Sequence, residues 1–153
     1  MSEMALFQVN EYFDVYGSKT TNKENFDKGG IYNYITTKNS NNGVECKVNY
    51  YTEPGNCITI DSATIGAVFY QEVPFLASDH VEIIRFKNKH LNKYHYLYVV
   101  SILKLEQFRY GYGRKWNQKN IRNTKILLPT KNNVPDWDFM ENYIKSLPFS
   151  KYL

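Results

Sequence analysis

Cysteine is nearly absent from this chain, whose 153 residues include only Cys46 and Cys57 and no C-x-x-C pair. This usage argues against a disulfide framework and indicates reduced thiols in the cytoplasm. No segment approaches the roughly 18 apolar residues of a membrane span, and the N-terminal run MSEMALFQVNEYF lacks the basic and apolar regions of a signal peptide. We therefore expect a cytoplasmic protein without a membrane partner.

The sequence also lacks the common catalytic motifs. It has no nucleophile elbow, no phosphate-binding glycine loop with Lys and Ser/Thr, and no motif of a DNA methyltransferase. Glu45-Cys46-Lys47 has the E-x-K spacing of a nuclease metal site, but the site also needs an Asp from a neighbouring strand, and the candidate, Asp27, lies in a glycine-bounded loop. His80, His90 and His95 cannot share one helix face because of their spacing. We predict a protein without catalytic residues, metal or cofactor.

Acidic residues are scarce in one third of the chain. Between Arg85 and Lys131 twelve Lys or Arg face a single acid, Glu106, a net charge of +11. The remainder has seven basic and fourteen acidic residues, a net charge of −7. Such asymmetry creates a local positive potential, so polyanions are the first partners to consider. The run FRYGYGRKWNQKNIRNTKILLP, residues 108–129, interleaves these cations with aromatics and glycines.

Length and periodicity predict a single α+β domain over residues 1–153, with a β-rich N-terminal two-thirds. Asn42-Gly43 favours the positive φ values of a hairpin turn between two of its strands. Extended segments are predicted at residues 6–16, 31–37, 44–51, 57–61, 66–71, 80–86 and 125–129.

Two helices complete the predicted fold. A long amphipathic helix covers residues 92–109, and a C-terminal helix opens at Val134-Pro135-Asp136. The apolar face of the first helix is predicted to consist of Tyr94, Leu97, Tyr98, Ser101, Ile102, Leu105 and Phe108. The apolar stripe of the C-terminal helix is predicted to consist of Trp137, Met140, Ile144 and Leu147. After the first helix, Trp116 is expected to join Phe108 in the core.

The basic stretch and the polar loops together suit double-stranded DNA. Cations meet phosphates, and Asn, Gln and Thr side chains can read base edges in the major groove. Each polar loop taken alone is better explained as a solvated turn, because Asn and Thr occur in turns for backbone reasons, but three such loops beside a basic stretch favour DNA binding. The candidate phosphate ligands are Arg109, Arg114, Lys115, Lys119 and Arg122. The candidate loops are residues 18–21, 36–42 and 116–118.

The order of these pieces resembles the target recognition domain of the DNA specificity subunit of type I restriction-modification systems, and the related domains of methyltransferase-fused restriction enzymes. The resemblance spans nearly the whole chain. It rests on FDVYGSK, IYNYITTKNSNNGV, GNCITIDSATIGAVFYQEVPFLASDHVEIIRFK, FRYGYGRKWNQKNIRNTKILLP and PDWDFMENYIKSL.

This resemblance implies a reader of one half of a bipartite site in double-stranded DNA, with catalysis in methyltransferase and restriction subunits. Full specificity subunits resemble two such domains separated by long helices, so this chain is expected to be a part of a longer protein, a truncated gene product, or a half-subunit that works as a homodimer. The residues expected to contact DNA are Lys19, Thr20, Thr36, Thr37, Lys38, Asn41, Asn42, Arg109, Tyr110, Tyr112, Arg114, Lys115 and Asn117.

Two other functions fit the composition. The 14 tyrosines could stack on splayed bases of RNA or of a single DNA strand. A tyrosine-rich surface and the final helix could instead recruit a protein, as in an adaptor subunit without nucleic-acid contact.

Overall fold

A computed structural model describes residues 3–22 and 26–153. Within these ranges the chain has ten strands and four α-helices, which confirms the predicted α+β class. The strands are β1 Glu3–Gln8, β2 Phe13–Gly17, β3 Lys28–Ile35, β4 Val44–Val48, β5 Cys57–Asp61, β6 Val68–Gln71, β7 Phe75–Ala77, β8 Val81–Phe86, β9 Lys125–Lys131 and β10 Val134–Pro135. The helices are α1 Val9–Tyr12, α2 Lys93–Glu106, α3 Gln118–Asn123 and α4 Trp137–Ser146.

The centre of the fold is an antiparallel sheet in the order β2-β8-β5-β6. Both of its faces are covered, because neighbouring residues of one strand enter different clusters. Ile84 belongs to the core formed with Val99 and Leu103 of α2, whereas Ile83 packs with Ile35 and Phe75 of a second sheet. Side chains alternate between the faces of a strand, so cover on both sides explains why every residue of β5, and every residue of β8 except the half-buried Arg85, is buried.

Two three-stranded sheets flank this centre. One has the order β4-β3-β7, with β3 antiparallel to β4 and parallel to β7. The other has the order β1-β9-β10, and its inward residues Phe7, Ile126 and Leu128 join the main core. Helix α4 adds Met140 to the same core. None of the helices in the described part of the chain is long and apolar enough to cross a bilayer.

Several predicted elements are confirmed with small changes of length. Helix α2 begins after Asn92, which caps it, and continues into a 3-10 turn at Gln107–Arg109. Helix α4 begins after Asp136, whose carboxylate accepts the Phe139 amide at 3.0 Å. Strands β3 and β4 form the expected hairpin, with positive φ at Asn42 and Gly43.

The prediction of one extended segment over residues 6–16 is wrong. The chain forms β1, turns through the single helical turn α1, and continues as β2 in a different sheet. The turn is closed by Glu11, whose carboxylate accepts the Gln8 amide at 3.2 Å, and the Val9 amide donates to Thr124 O at 2.9 Å. A local capping interaction therefore overrides the extended propensity of its neighbours.

The predicted apolar face of α2 is only partly correct, because Tyr98 and Ile102 pack against the main core but other residues are more deeply buried. The buried residues are His95, Tyr96, Val99, Val100 and Leu103, whereas Leu105 and Ser101 are exposed. Helix α2 is apolar around most of its circumference, so its spacing alone cannot select the face that contacts the sheet.

Phe108 is 77% exposed, which contradicts its assignment to the core. The 3-10 turn changes the rotation of the chain after α2, and the Phe108 ring lies under the Arg109 guanidinium at 4.8 Å. Trp116 is 1% exposed, as predicted.

His95 couples α2 to α4 in its neutral form. Its Nδ1 accepts the Asn92 amide at 3.0 Å, and its Nε2 lies 3.1 Å from Trp137 O, which requires the proton on Nε2. Burial lowers the pKa of His95 below its usual 6.5, and the Glu141 carboxylate partly offsets this.

A lowered pKa predicts a loss of stability in mild acid. The unfolded chain binds the His95 proton first, so the free energy of unfolding should be unaffected above about pH 6.5, fall as the pH decreases from there towards the lower folded pKa, and level off below that pKa. Thermal unfolding of the wild type, His95→Gln and the exposed-site control His90→Gln between pH 7.5 and 5 measures this. We expect only His95→Gln to reduce the fall; an equal fall in all three proteins would contradict the assignment.

Candidate nucleic-acid interface

The segments that the sequence singles out approach one end of the strands of the central sheet, here called the sheet edge. At this edge β2 and β5 end and β8 and β6 begin, as the pairs Gly17↔Glu82, Asp61↔Val81 and Ile60↔Val68 record. The connection after β2, the turn between β5 and β6, and the approach to β8 therefore lie side by side.

The connection after β2 carries Lys19 and Thr20. Its backbone is fixed, because the Lys19 amide donates to Glu53 Oε1 at 2.7 Å and the Thr21 amide donates to Ala77 O at 3.0 Å. The side chains of Lys19 and Thr20 are exposed. A rigid backbone with exposed polar side chains is the arrangement that a binding loop requires.

The loop between β3 and β4 lies beside this connection. Ser78 joins the two, since its O accepts the Ser18 hydroxyl at 3.0 Å and its amide donates to Ile35 O at 2.9 Å. The loop begins with Thr36 and Thr37, which are half-buried, and continues with Lys38, which is exposed.

Two adjacent asparagines, Asn41 and Asn42, hold the shape of this loop. Asn42 Nδ2 donates to Tyr70 O at 2.9 Å, and Asn42 O accepts from Gln71 at 3.0 Å. Asn41 Nδ2 donates to Val44 O at 3.3 Å. Both amide groups are therefore engaged within the chain, and both residues adopt positive φ.

The segment after α2 forms a tight turn on an aromatic base. Tyr110 stacks on the buried Trp116 with ring centroids 4.6 Å apart, and the Arg114 guanidinium lies 5.2 Å from the Tyr110 centroid. Gly111 and Arg114 exchange two backbone hydrogen bonds, of 2.9 and 3.2 Å, so Tyr112 projects from the turn and is 75% exposed. Lys115 is exposed beside it.

This segment meets the sheet edge through two glycines. A Cβ on Gly66 would lie 3.1 Å from the Trp116 ring, and Gly66 also has φ +75, which favours glycine. A Cβ on Gly17 would lie 3.2 Å from Gln118 Nε2. Asn117, just before Gln118, caps α3 by accepting the Asn120 amide at 3.0 Å.

The basic third of the chain is not one continuous surface of available cations. Arg85 donates to Pro54 O at 2.6 Å, Gly55 O at 2.8 Å and the Tyr16 hydroxyl at 2.5 Å. Burial works to lower the pKa of Arg85, but neighbouring groups outweigh it and leave the pKa raised. Arg85 is therefore a structural cation.

Two other arginines also have partners within the chain. Arg122 donates to Val15 O at 2.6 Å, so its expected role as a phosphate ligand gives way to a structural one. Arg109 is exposed but pairs with Glu106 at 2.7 Å. Lys19, Lys38, Arg114 and Lys115 are exposed cations of the segments described above, and the candidate Lys119 is exposed in α3.

The sequence did not draw attention to the turn at residues 62–65. It leaves the same edge of the sheet, between β5 and β6, and begins with a buried Asp61. An Asp followed by Ser, Thr and Gly is a turn signal, but one too common to indicate a site. In the described ranges, no three or more His, Cys, Asp and Glu side chains are arranged to hold a metal ion.

Restriction-modification specificity subunits share this architecture. An S subunit of a type I system from M. genitalium matches with a TM-score of 0.75 and 11% identity over 94% of this chain and 38% of its own. The HsdS subunit from Thermoanaerobacter tengcongensis matches with a TM-score of 0.62 and 14% identity, over 92% and 36% respectively. At these identities the likeness is one of fold.

The chain belongs to the family of type I restriction modification DNA specificity domains, whose model matches residues 1–151. It is 32% identical over 148 residues to the specificity subunit S.BcgI of a type II restriction enzyme from Heyndrickxia coagulans. The aligned region covers 92% of this chain and 42% of that relative. The chain thus spans less than half the length of the relative.

Proposed function

We propose that residues 1–153 act as one target recognition domain that reads half of a bipartite sequence in double-stranded DNA. The observation that carries this proposal is the meeting of polar or basic segments at one sheet edge: residues 18–21, the start of the loop 36–42, and residues 109–117. The far side of that loop extends along β6, where Asn42 bonds to Tyr70 O. Lys19, Lys38, Arg114 and Lys115 would contact phosphates.

The other residues expected to contact DNA fall into two groups, according to their hydrogen bonds within the chain. Thr20, Thr37 and Tyr112 offer polar groups at or near the surface for base edges or sugars, and Thr36 and Arg109 flank them. Asn41, Asn42 and Asn117 would shape their loops and reach a base only by exchanging their present hydrogen bonds.

Partner subunits would supply the chemistry. We propose that methyltransferase and restriction subunits catalyse the reactions, and that the chain joins them as a half-subunit or a homodimer. Family membership supports this assignment. The free thiols of Cys46 and Cys57 support a cytoplasmic setting.

A salt titration tests the DNA interface. Four phosphate contacts predict a log-log slope of about −3.6, so affinity for a random duplex should fall roughly a hundredfold between 50 and 200 mM salt. Fluorescence anisotropy with a labelled duplex measures the slope. A slope near zero would overturn the proposal.

A second candidate is a binder of single strands, which the exposed rings of Tyr112 and Phe108 favour. Competition separates the two functions. Under the duplex proposal, an unlabelled single strand at equal concentration leaves the labelled duplex bound; under the alternative it displaces the duplex.

A further inference from the structure

The turn at residues 62–65 lies between two of the segments proposed to contact DNA. On one side the Ser62 hydroxyl lies 3.1 Å from Glu82 Oε1, and Glu82 pairs with Gly17 at the start of the Lys19 connection. On the other side a Cβ on Gly66 would lie 3.1 Å from the ring of Trp116, the base of the Arg114 turn, so Gly66 lies close beside that ring. A duplex that contacts both segments would pass over this turn.

Asp61 fixes the backbone of the turn. Its side chain is buried, and Oδ1 accepts the amides of Ala63 at 2.8 Å and Thr64 at 3.0 Å. Oδ2 accepts the amide of Ile65 at 3.1 Å and the hydroxyl hydrogen of Thr64. Four donors therefore converge on one carboxylate, which leaves the turn a single arrangement.

The contact with Asp61 gives the Thr64 hydroxyl a fixed polarity. A hydroxyl has one hydrogen and two lone pairs, and Asp61 takes the hydrogen. Only lone pairs then remain for an outside partner, so Thr64 can accept a hydrogen bond but cannot donate one. In the major groove the donors are the amino groups of adenine N6 and cytosine N4.

Ile65 adds an apolar contact next to this acceptor. Its side chain is 36% exposed, and an aliphatic group suits the 5-methyl group of thymine.

We propose that Thr64 is a specificity-determining residue that accepts a hydrogen bond from a base amino group, and that Asp61 is its positioning residue. This inference rests on the proposed duplex-binding function. Base discrimination would then depend on the Thr64 hydroxyl, whose hydrogen points to Asp61 and whose lone pairs remain for an outside partner.

Binding profiles over a library of duplexes, measured for the wild type, Thr64→Val and Thr64→Ser, test the inference. Thr64→Val keeps the shape and removes the acceptor, so preference for adenine or cytosine at one base-pair position should fall about 5- to 100-fold. The salt slope of binding should not change, since no phosphate contact is lost. Thr64→Ser should retain the wild-type preference.

Thr130→Val is the matched control, because the Thr130 hydroxyl donates within the β9–β10 hairpin of another sheet, to Val134 O at 2.9 Å. Its profile should equal that of the wild type. If Thr64→Val fails to fold, Thr64→Ala removes the same hydroxyl without adding a methyl group and should give the same change.

The variant Asp61→Asn tests whether Asp61 positions the Thr64 hydroxyl. It removes a carboxylate acceptor from Thr64, so discrimination should decline at the same base pair that responds to Thr64→Val. If a folded Thr64 variant has the same base-preference profile as the wild type, and the wild type binds duplex DNA in a salt-dependent way, then this inference alone is overturned. A wild type without salt-dependent duplex binding overturns the proposed function and this inference together.

Discussion

Replacing Arg114 and Lys115 together by alanine is expected to weaken binding to duplex DNA of any sequence roughly 30-fold at 150 mM salt, and to make the log-log salt slope shallower by about 2. Both side chains are exposed on a turn whose backbone is fixed by the Gly111–Arg114 hydrogen bonds. Anisotropy titrations at several salt concentrations measure both quantities.

The control removes the same charge elsewhere. Lys145 and Lys151 are exposed in and after α4, and Lys145 pairs with Glu141 at 3.0 Å. Lys145→Ala/Lys151→Ala should leave the slope almost at the wild-type value. An equal loss in the two double variants would mean that overall charge, rather than this turn, attracts DNA. An unchanged affinity for Arg114→Ala/Lys115→Ala would favour a protein adaptor.

Trp116→Ala is expected to lower the free energy of unfolding by about 3–5 kcal/mol, the usual cost of removing a large buried aromatic side chain. The Trp116 side chain packs in the main core, stacks on Tyr110 and donates from Nε1 to the Thr124 hydroxyl at 3.0 Å. Its loss leaves a cavity beneath the turn that carries Arg114. Urea unfolding followed by circular dichroism measures the change.

Phe108→Ala is the matched aromatic control, eight residues away. Phe108 is 77% exposed, so its removal should change the free energy of unfolding by less than about 0.5 kcal/mol. Comparable losses for the two variants would contradict the assignment of Trp116 to the core and Phe108 to the surface.

The sequence predicts the two longer helices, α2 and α4, and the central strands well, because each depends on local signals; it does not predict the short helices α1 and α3. Asn92 and Asp136 cap helices at the expected points, and Asn42-Gly43 opens the expected hairpin. The sequence does not predict the buried face of α2, since that choice depends on the sheet against which α2 packs. It also misses β7, a three-residue strand held by the distant β3.

Contacts between residues far apart in sequence also decide which residues of the candidate site are available to DNA. Composition identifies the cations but not their partners, and Arg85 and Arg122 bind backbone carbonyls that are 29 to 31 and 107 residues away in the chain. Asn42 likewise bonds to a residue 28 positions away. Such contacts arise only when strands far apart in sequence become neighbours.

Selection from a library of randomised duplexes, with this chain as the binding protein and physiological salt, tests the central claim most directly. The proposed function predicts enrichment of one short motif of a few base pairs, which Arg114→Ala/Lys115→Ala recovers with the same sequence but in lower yield. Recovery of sequences no different from the starting library, at a concentration where the duplex is bound, would contradict the claim that this chain reads DNA sequence.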